Sequence, residues 1–362
     1  MFGLVAPNAK CSRRCDRGEY KQGEASGVRD WIFGSAQVLA LAALCAIGAE
    51  LLAAYSDSTG DIGAILFALV FFMALYGAPA LLVRELARRF GWGWPSLLML
   101  CAALGILQAC IIDQSMFADQ YGGYAGWQEN RSATFIAPLG ISAYNAYNFI
   151  VGHIIFSFAG PMAVAEAWWP KRAEAPWLRP FGTIVAAISY VGSAALIISD
   201  PGSQSASQTQ LVVSWLLVAA CFLAAVLIGR RKVGARSIPT GRMNPFVVLA
   251  MTFAVAVPGN FAEGWIGVAV GLGSAIIILG MIIRIRKRDV WTVRHSAAVA
   301  LGYLLSRGVL AFTYFPLVGE VEPLPKYLHN IGMLAIVLTA GFFAFKVGGL
   351  RDNPDTVGER AH

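Results

Sequence analysis

Residues 265–294 read WIGVAVGLGSAIIILGMIIRIRKRDVWTVR. From Trp265 to Ile283 no side chain carries a charge; Arg284, Arg286, Lys287, Arg288 and Arg294 then follow in one short segment. An uncharged apolar run of about 20 residues is long enough to cross the hydrocarbon core of a bilayer as a helix. The basic cluster behind it marks a cytoplasmic end, because cytoplasmic loops are enriched in Lys and Arg. The same unit recurs along the chain, and its recurrence decides the fold class.

Working outward from this unit, apolar stretches fall at 31–55, 61–83, 95–118, 144–169, 181–199, 211–229, 244–258, 265–283, 295–318 and 328–349. The basic residues occupy every second gap. Lys10, Arg13, Arg14, Arg17, Lys21 and Arg29 precede the first span, and Arg84, Arg88 and Arg89 follow the second. Lys171, Arg172 and Arg179 follow the fourth; Arg230, Arg231, Lys232, Arg236 and Arg242 follow the sixth. With the cluster quoted above and Lys346, Arg351 and Arg360, these gaps hold 25 of the 28 Lys and Arg residues. The opposite gaps hold only Arg131 and Lys326, and Arg307 lies inside a stretch. Adding or removing one span would put whole clusters outside, so about ten spans with both termini cytoplasmic is the self-consistent reading.

The expected architecture is an all-α, polytopic transmembrane helix bundle. Residues 1–30 form a basic cytoplasmic tail, 31–349 the transmembrane domain and 350–362 a second cytoplasmic tail. Trp31 to Tyr55 is too long for a signal-peptide core and reads as an uncleaved anchor. Trp31, Trp92, Trp94, Trp168, Trp169, Trp177 and Trp291 are expected in the inner aromatic belt, Trp127 and Trp265 in the outer one. The longest external gap, about 119–143, is too short for a domain and is placed to cap the outer mouth. The seventh stretch is short and ends in Pro258-Gly259-Asn260, so it reads as a tilted span or a half-helix. Ten spans divide as five plus five, the arithmetic of an inverted repeat. Gly77-Ala78-Pro79 in the second span and Pro258-Gly259 in the seventh are its one echo.

Composition agrees. The chain is 57% hydrophobic and 14% charged, against about 25% charged in soluble proteins. Its net charge of +7 forms short clusters beside apolar spans and no continuous basic face, which excludes nucleic acid and points to membrane lipids as partners. Cys11 and Cys15 stand in the basic tail without His or a second Cys pair, so no metal site is expected. No nucleotide-binding loop, zinc-protease helix or serine elbow is present, and only His153 of the four His lies in a span, so no cofactor is expected.

Polar residues inside spans carry the functional question, because an ionisable group there is costly. Arg307 lies near the middle of the ninth span, with an insertion cost of about 2.5–3.5 kcal/mol. It is expected to pair with Asp113 or Glu50, or to bind a small anionic substrate. Asp113 is followed by Gln114, and both carboxylates are alternative proton carriers. Asn145 and Asn148 are one helical turn apart and are expected to share a face, with His153 beside them as a polar wall. Asn260 and Glu263 either line the same cavity or form an ordinary external turn. Glu166 is expected at the inner interface. These assignments put Glu50, Asp113, Gln114, Asn145, Asn148 and Glu263 in the outer half of the membrane and His153 and Arg307 deeper, over an inner half closed by apolar packing.

One resemblance adds to this. Tyr76-Gly77-Ala78-Pro79-Ala80-Leu81-Leu82-Val83-Arg84-Glu85, then Gly91-Trp92-Gly93-Trp94-Pro95, then Asp113-Gln114-Ser115-Met116-Phe117 resemble uncharacterised multi-pass proteins of high-GC Gram-positive bacteria. The resemblance covers the second and third spans and implies a bacterial plasma membrane, with no assigned reaction. Three functions fit the residues: a small-molecule permease or exporter with an outward-facing polar cavity, a non-catalytic assembly or sensing protein, or a membrane-embedded enzyme acting on a lipid-linked substrate.

Overall fold

A computed structural model describes residues 34–53, 59–120, 126–231, 241–313 and 321–346. Both tails, Cys11, Cys15, Trp31 and the ends of the first and ninth predicted spans lie outside the described residues. Eight helices are long and apolar enough to cross a membrane: α1 (Gly34–Leu51), α2 (Ile62–Arg89), α3 (Trp94–Ile112), α5 (Ala143–Trp168), α6 (Pro180–Ile198), α7 (Gln208–Gly229), α9 (Gly264–Arg288) and α11 (Pro323–Lys346). Two more helices occupy the remaining predicted spans, α8 (Pro245–Phe261) and α10 (Val293–Leu310). The short helix α4 (Trp127–Ala133) and the antiparallel pair β1 (Phe135–Ile136) and β2 (Ile141–Ser142) structure the long external gap. The chain is thus an all-α, multi-pass integral membrane protein.

Local chemistry sets the helix starts. The Asp61 carboxylate accepts from Gly63 N at 2.6 Å and opens α2. Ser207 and Gln210 cap α7 reciprocally, Asn244 caps α8, and Thr292 with His295 caps α10. Each cap satisfies amide protons that have no partner within their own helix. Helix α8 does not end at Pro258. It runs on to Phe261 with the proline inside it, which corrects the expected break.

Helix α5 is the hub and packs against α1, α2, α3, α9, α10 and α11; α10 packs against α5, α8 and α11. The core joins Leu41 and Cys45 of α1, Leu81 of α2, Cys101 of α3, Met162 of α5 and Leu301 of α10. Helices α6, α7 and α9 turn large apolar side chains outward, among them Ile188, Leu216 and Ile276. Such a surface would be an aggregation hazard in water and is the ordinary surface of a helix in lipid.

The central helices are not regular. Wide π turns occupy Ile47–Leu51 in α1, Met73–Gly77 in α2, Gln108–Ile112 in α3, and Tyr147–Val151 and His153–Ala159 in α5. Among the described residues they occur in these four helices alone. Pro79 and Pro161 explain two of them. Neither can donate to the carbonyl four residues before it, and the chain opens to five-residue bonds, Ala78 N–H to Met73 O and Gly160 N–H to Ile155 O. Turns of this kind are rare and occur often at functional sites.

Gly77 at the α2 joint is where α1 and α2 touch backbone to backbone. A Cβ there would lie 2.5 Å from Ala42 Cα. Gly77→Val is therefore expected to push the two helices apart and destabilise the protein by about 1–3 kcal/mol. Thermal unfolding in detergent reads this, and an unchanged melting temperature would show that the contact is not tight.

Candidate functional site

The π turns carry three of the polar residues singled out from the sequence, and a fourth follows one directly. Glu50 sits in the π turn of α1, Asn148 and His153 in those of α5, and Asp113 directly after that of α3. They bring Glu50, His153 and Arg307 into one region. Tyr76, in the π turn of α2, donates its hydroxyl to Glu50 Oε1 at 2.6 Å. The Tyr76 ring stacks on His153 at 5.4 Å, and both rings lie 6.2 Å from Phe158. His153 Nδ1 shares a hydrogen bond with Ser157 Oγ at 3.0 Å.

Arg307 enters this group from the last turn of α10, which corrects its expected place near the middle of a helix. It forms no ion pair among the described residues, which corrects the expected pairing with Asp113 or Glu50. Its guanidinium lies over the Phe156 ring at 4.8 Å. One terminal nitrogen reaches Ala49 O at the long distance of 3.5 Å, and Nε has no hydrogen-bond partner. It is nevertheless near enough to Glu50 and His153 to act on both electrostatically. Glu50, His153, Tyr303 and Arg307 are all half-buried. Tyr303 stands one turn from Arg307 on α10 and meets Phe156 edge to face at 6.3 Å. The arrangement groups a cation whose donors are largely unspent, a carboxylate bound by a tyrosine, and several aromatic rings. An apolar groove of about 530 Å³ between α8, α10 and α11 shares no residue with it.

Other candidates lie apart or are used by the fold. Asp113 Oδ1 accepts from both Ser115 N at 2.9 Å and Ser115 Oγ at 2.8 Å, closing a turn at the end of α3, although it remains within electrostatic range of Glu50. Gln114 adopts a positive φ of 54° and accepts from Ala206 N at 2.7 Å. It therefore ties the α6–α7 connection to α3. Asn145 is buried near Ser142, and Asn148 is exposed. They do not share a face, and the expected polar wall is not built. The π turn beginning at Tyr147 breaks the 3.6-residue spacing on which that expectation rested. Glu263 is exposed just before α9, in the turn between α8 and α9.

A second cluster lies toward the predicted cytoplasmic side, where sequence reading expected only apolar packing. Glu166, expected at the interface, is buried and binds two arginines. Arg84 Nε donates to its Oε1 at 3.0 Å, and Arg88 donates to both its oxygens at 2.9 and 2.7 Å. Arg84 is fully buried. It also donates to Ala173 O at 2.8 Å and Ala175 O at 3.2 Å, under the Trp177 ring at 3.4 Å. Glu85 accepts from Trp177 N at 2.5 Å. Trp92, Trp168 and Trp177 are likewise buried within the protein and not displayed in an aromatic belt. A sequence signal for this cluster exists: Arg84 and Glu166 each stand five residues after a proline that follows a glycine closely, Gly77-x-Pro79 and Gly160-Pro161.

Removing the Tyr76 hydroxyl tests the upper group. Tyr76→Phe is expected to free Glu50 and to cost on the order of 1 kcal/mol, the worth of one hydrogen bond to a charged or neutral acceptor. A melting curve superimposable on wild type would argue against the Tyr76–Glu50 bond.

Comparison with protein-family models, curated proteins and solved structures finds no match to this chain.

Proposed function

We propose that this protein is a permease or exporter for a small organic anion in the plasma membrane of a bacterium. The observation that carries the reading is Arg307, half-buried in the last turn of α10 among Ala49, Phe156 and Tyr303, with an unpartnered Nε and no carboxylate bound to it; the space beside it is taken as the anion's cleft. An isolated cation at membrane depth is costly, and an anion entering the cleft supplies the partner that Glu50 does not. Tyr303, Phe156 and Tyr76 give that anion an apolar, aromatic lining. Glu50, next to both Tyr76 and Arg307, is the group placed to exchange a proton as the anion arrives. The reading takes ten spans with both termini cytoplasmic, as the alternating basic clusters support, so the cleft lies in the outer half. An inverted five-plus-five arrangement belongs to the same reading, supported by Pro79 in α2 and Pro258 in α8.

The experiment is a panel of carboxylates and phosphate esters, scored by thermal stabilisation of the purified protein and then by flux in proteoliposomes. A compound that stabilises wild type and moves across the membrane supports the reading. Conversion of a compound by the purified protein replaces it with an enzyme. No response to any anion, with Arg307 variants simply unstable, replaces it with an assembly or sensing role.

A further inference from the structure

Helices α2 and α5 are built alike and lie side by side in register. Arg84 contacts Glu166, 82 residues on. The same offset relates Tyr76 to Phe158, whose rings are 6.2 Å apart, and Pro79 to Pro161. Constant offset along two contacting helices means that they run parallel, with matching features at matching depth. Each has a π turn, then a proline, then an ionised residue. Above the prolines lie the half-buried residues of the Arg307 cleft. Below them Arg84, Glu85 and Glu166 are at most 2% exposed.

The lower ends are fastened to each other and to the segment after α5. Arg84 and Arg88 of α2 hold Glu166 of α5, while Arg84 and Glu85 hold the backbone at Ala173, Ala175 and Trp177. The start of α1 closes against the same segment, since a Cβ on Gly34 would lie 3.2 Å from the Arg172 guanidinium. Ion pairs this dry contribute little net stability compared with well-packed apolar groups. They do make a bond that is either complete or absent, which suits a two-state element. The missing main-chain bonds at Pro79 and Pro161 let each helix bend between the cleft and the fastening.

We propose that the Arg84–Arg88–Glu166 cluster is the cytoplasmic gate of the bundle, and that it opens by bending α2 and α5 at Pro79 and Pro161. Release of Glu166 swings the lower halves apart and peels Leu81 and Met162 from the core they share with Cys45 and Cys101. The proposal rests on the carrier reading for its purpose, but its test needs no substrate.

Native cysteines supply the reporter. Cys101 is buried and lies seven residues into α3, about 10 Å from its cytoplasmic end; Cys45 is its neighbour in the same core. In a background with Cys11, Cys15, Cys110 and Cys221 changed to Ser, inside-out membrane vesicles are treated with a membrane-impermeant maleimide. Glu166→Gln is expected to raise labelling of Cys45 and Cys101 at least tenfold from the cytoplasmic face and not from the outer face. Adding Pro79→Ala and Pro161→Ala is expected to return labelling toward the wild-type rate. If Glu166→Gln does not fold, Arg88→Lys replaces it, keeping the charge but losing the second bond to the carboxylate.

A folded gate variant that labels at the wild-type rate overturns the proposal, as does equal labelling from both faces. Fast labelling that persists in the double proline variant overturns the joints. Because no anion enters the assay, gated labelling without any anion response would sink the carrier reading alone. Anion flux with unchanged labelling would sink the gate alone.

Discussion

Glu166→Ala is expected to destabilise this protein by about 3–5 kcal/mol, the range found when one partner of a buried ion pair is removed. The effect is large because the carboxylate serves two cations at once. Its loss leaves Arg84, with no accessible surface, and Arg88 facing each other in the bundle. Arg84 keeps its carbonyl acceptors at Ala173 and Ala175, and Glu85 lies 3.6 Å away. That leaves two charges of one sign with too few acceptors. Glu166→Gln retains acceptor oxygen without the charge and is expected to fall between wild type and Glu166→Ala. Converting Arg84, Arg88 and Glu166 together to Met is expected to recover much of the stability lost by Glu166→Ala, because apolar groups of similar volume replace the whole charge set. Unfolding in detergent, followed by tryptophan fluorescence, suits this measurement, since Trp177 lies directly over Arg84. Full stability in Glu166→Ala would mean that the cluster does not hold the helices together.

Arg307→Gln is expected to act differently: small loss of stability, large loss of anion affinity. The fold places little on this side chain, which makes one long hydrogen bond, one ring contact and no ion pair. A bound carboxylate or phosphate would take charge-assisted bonds from it worth about 1.5–3 kcal/mol, so its removal should weaken anion affinity about 10- to 100-fold. Arg307→Lys is expected to retain part of the affinity, keeping the charge but not the planar fork that grips two oxygens. Titrating a stabilising anion against the three proteins gives the ratio directly. Equal affinity in wild type and Arg307→Gln would remove Arg307 from the site. A large drop in melting temperature without ligand would recast it as a structural cation.

The two substitutions separate two kinds of intramembrane charge that look alike in a sequence. Arg307 was conspicuous because it interrupts an apolar stretch. Arg84 and Arg88 were taken for topology signals because they close a stretch, as a cytoplasmic cluster does. The structure reverses their standing as structural groups. Arg84 and Arg88 are the buried and fully bonded ones, and Arg307, in the last turn of α10, is the one with donors to spare.

Membrane insertion, helical class and the approximate helix positions are legible in the sequence, because they depend on one-dimensional quantities. Length of apolar run and placement of basic residues act segment by segment, and each helix satisfies its own backbone. Convergence of Glu50, Tyr76, His153 and Arg307 depends on how four helices cross, which no single segment encodes. The faces of α5 were misread for a related reason. Its two π turns shift every side chain beyond Tyr147 relative to an ideal helix, so Asn145 and Asn148 part company. Glu166 found its arginines only through the parallel register of α2 and α5, set by close packing at depth. The sequence by itself determined that this chain crosses the membrane and where its helices lie. Only the tertiary structure decided which charges meet, because pairing follows from packing between helices, whereas insertion follows from the composition of each one.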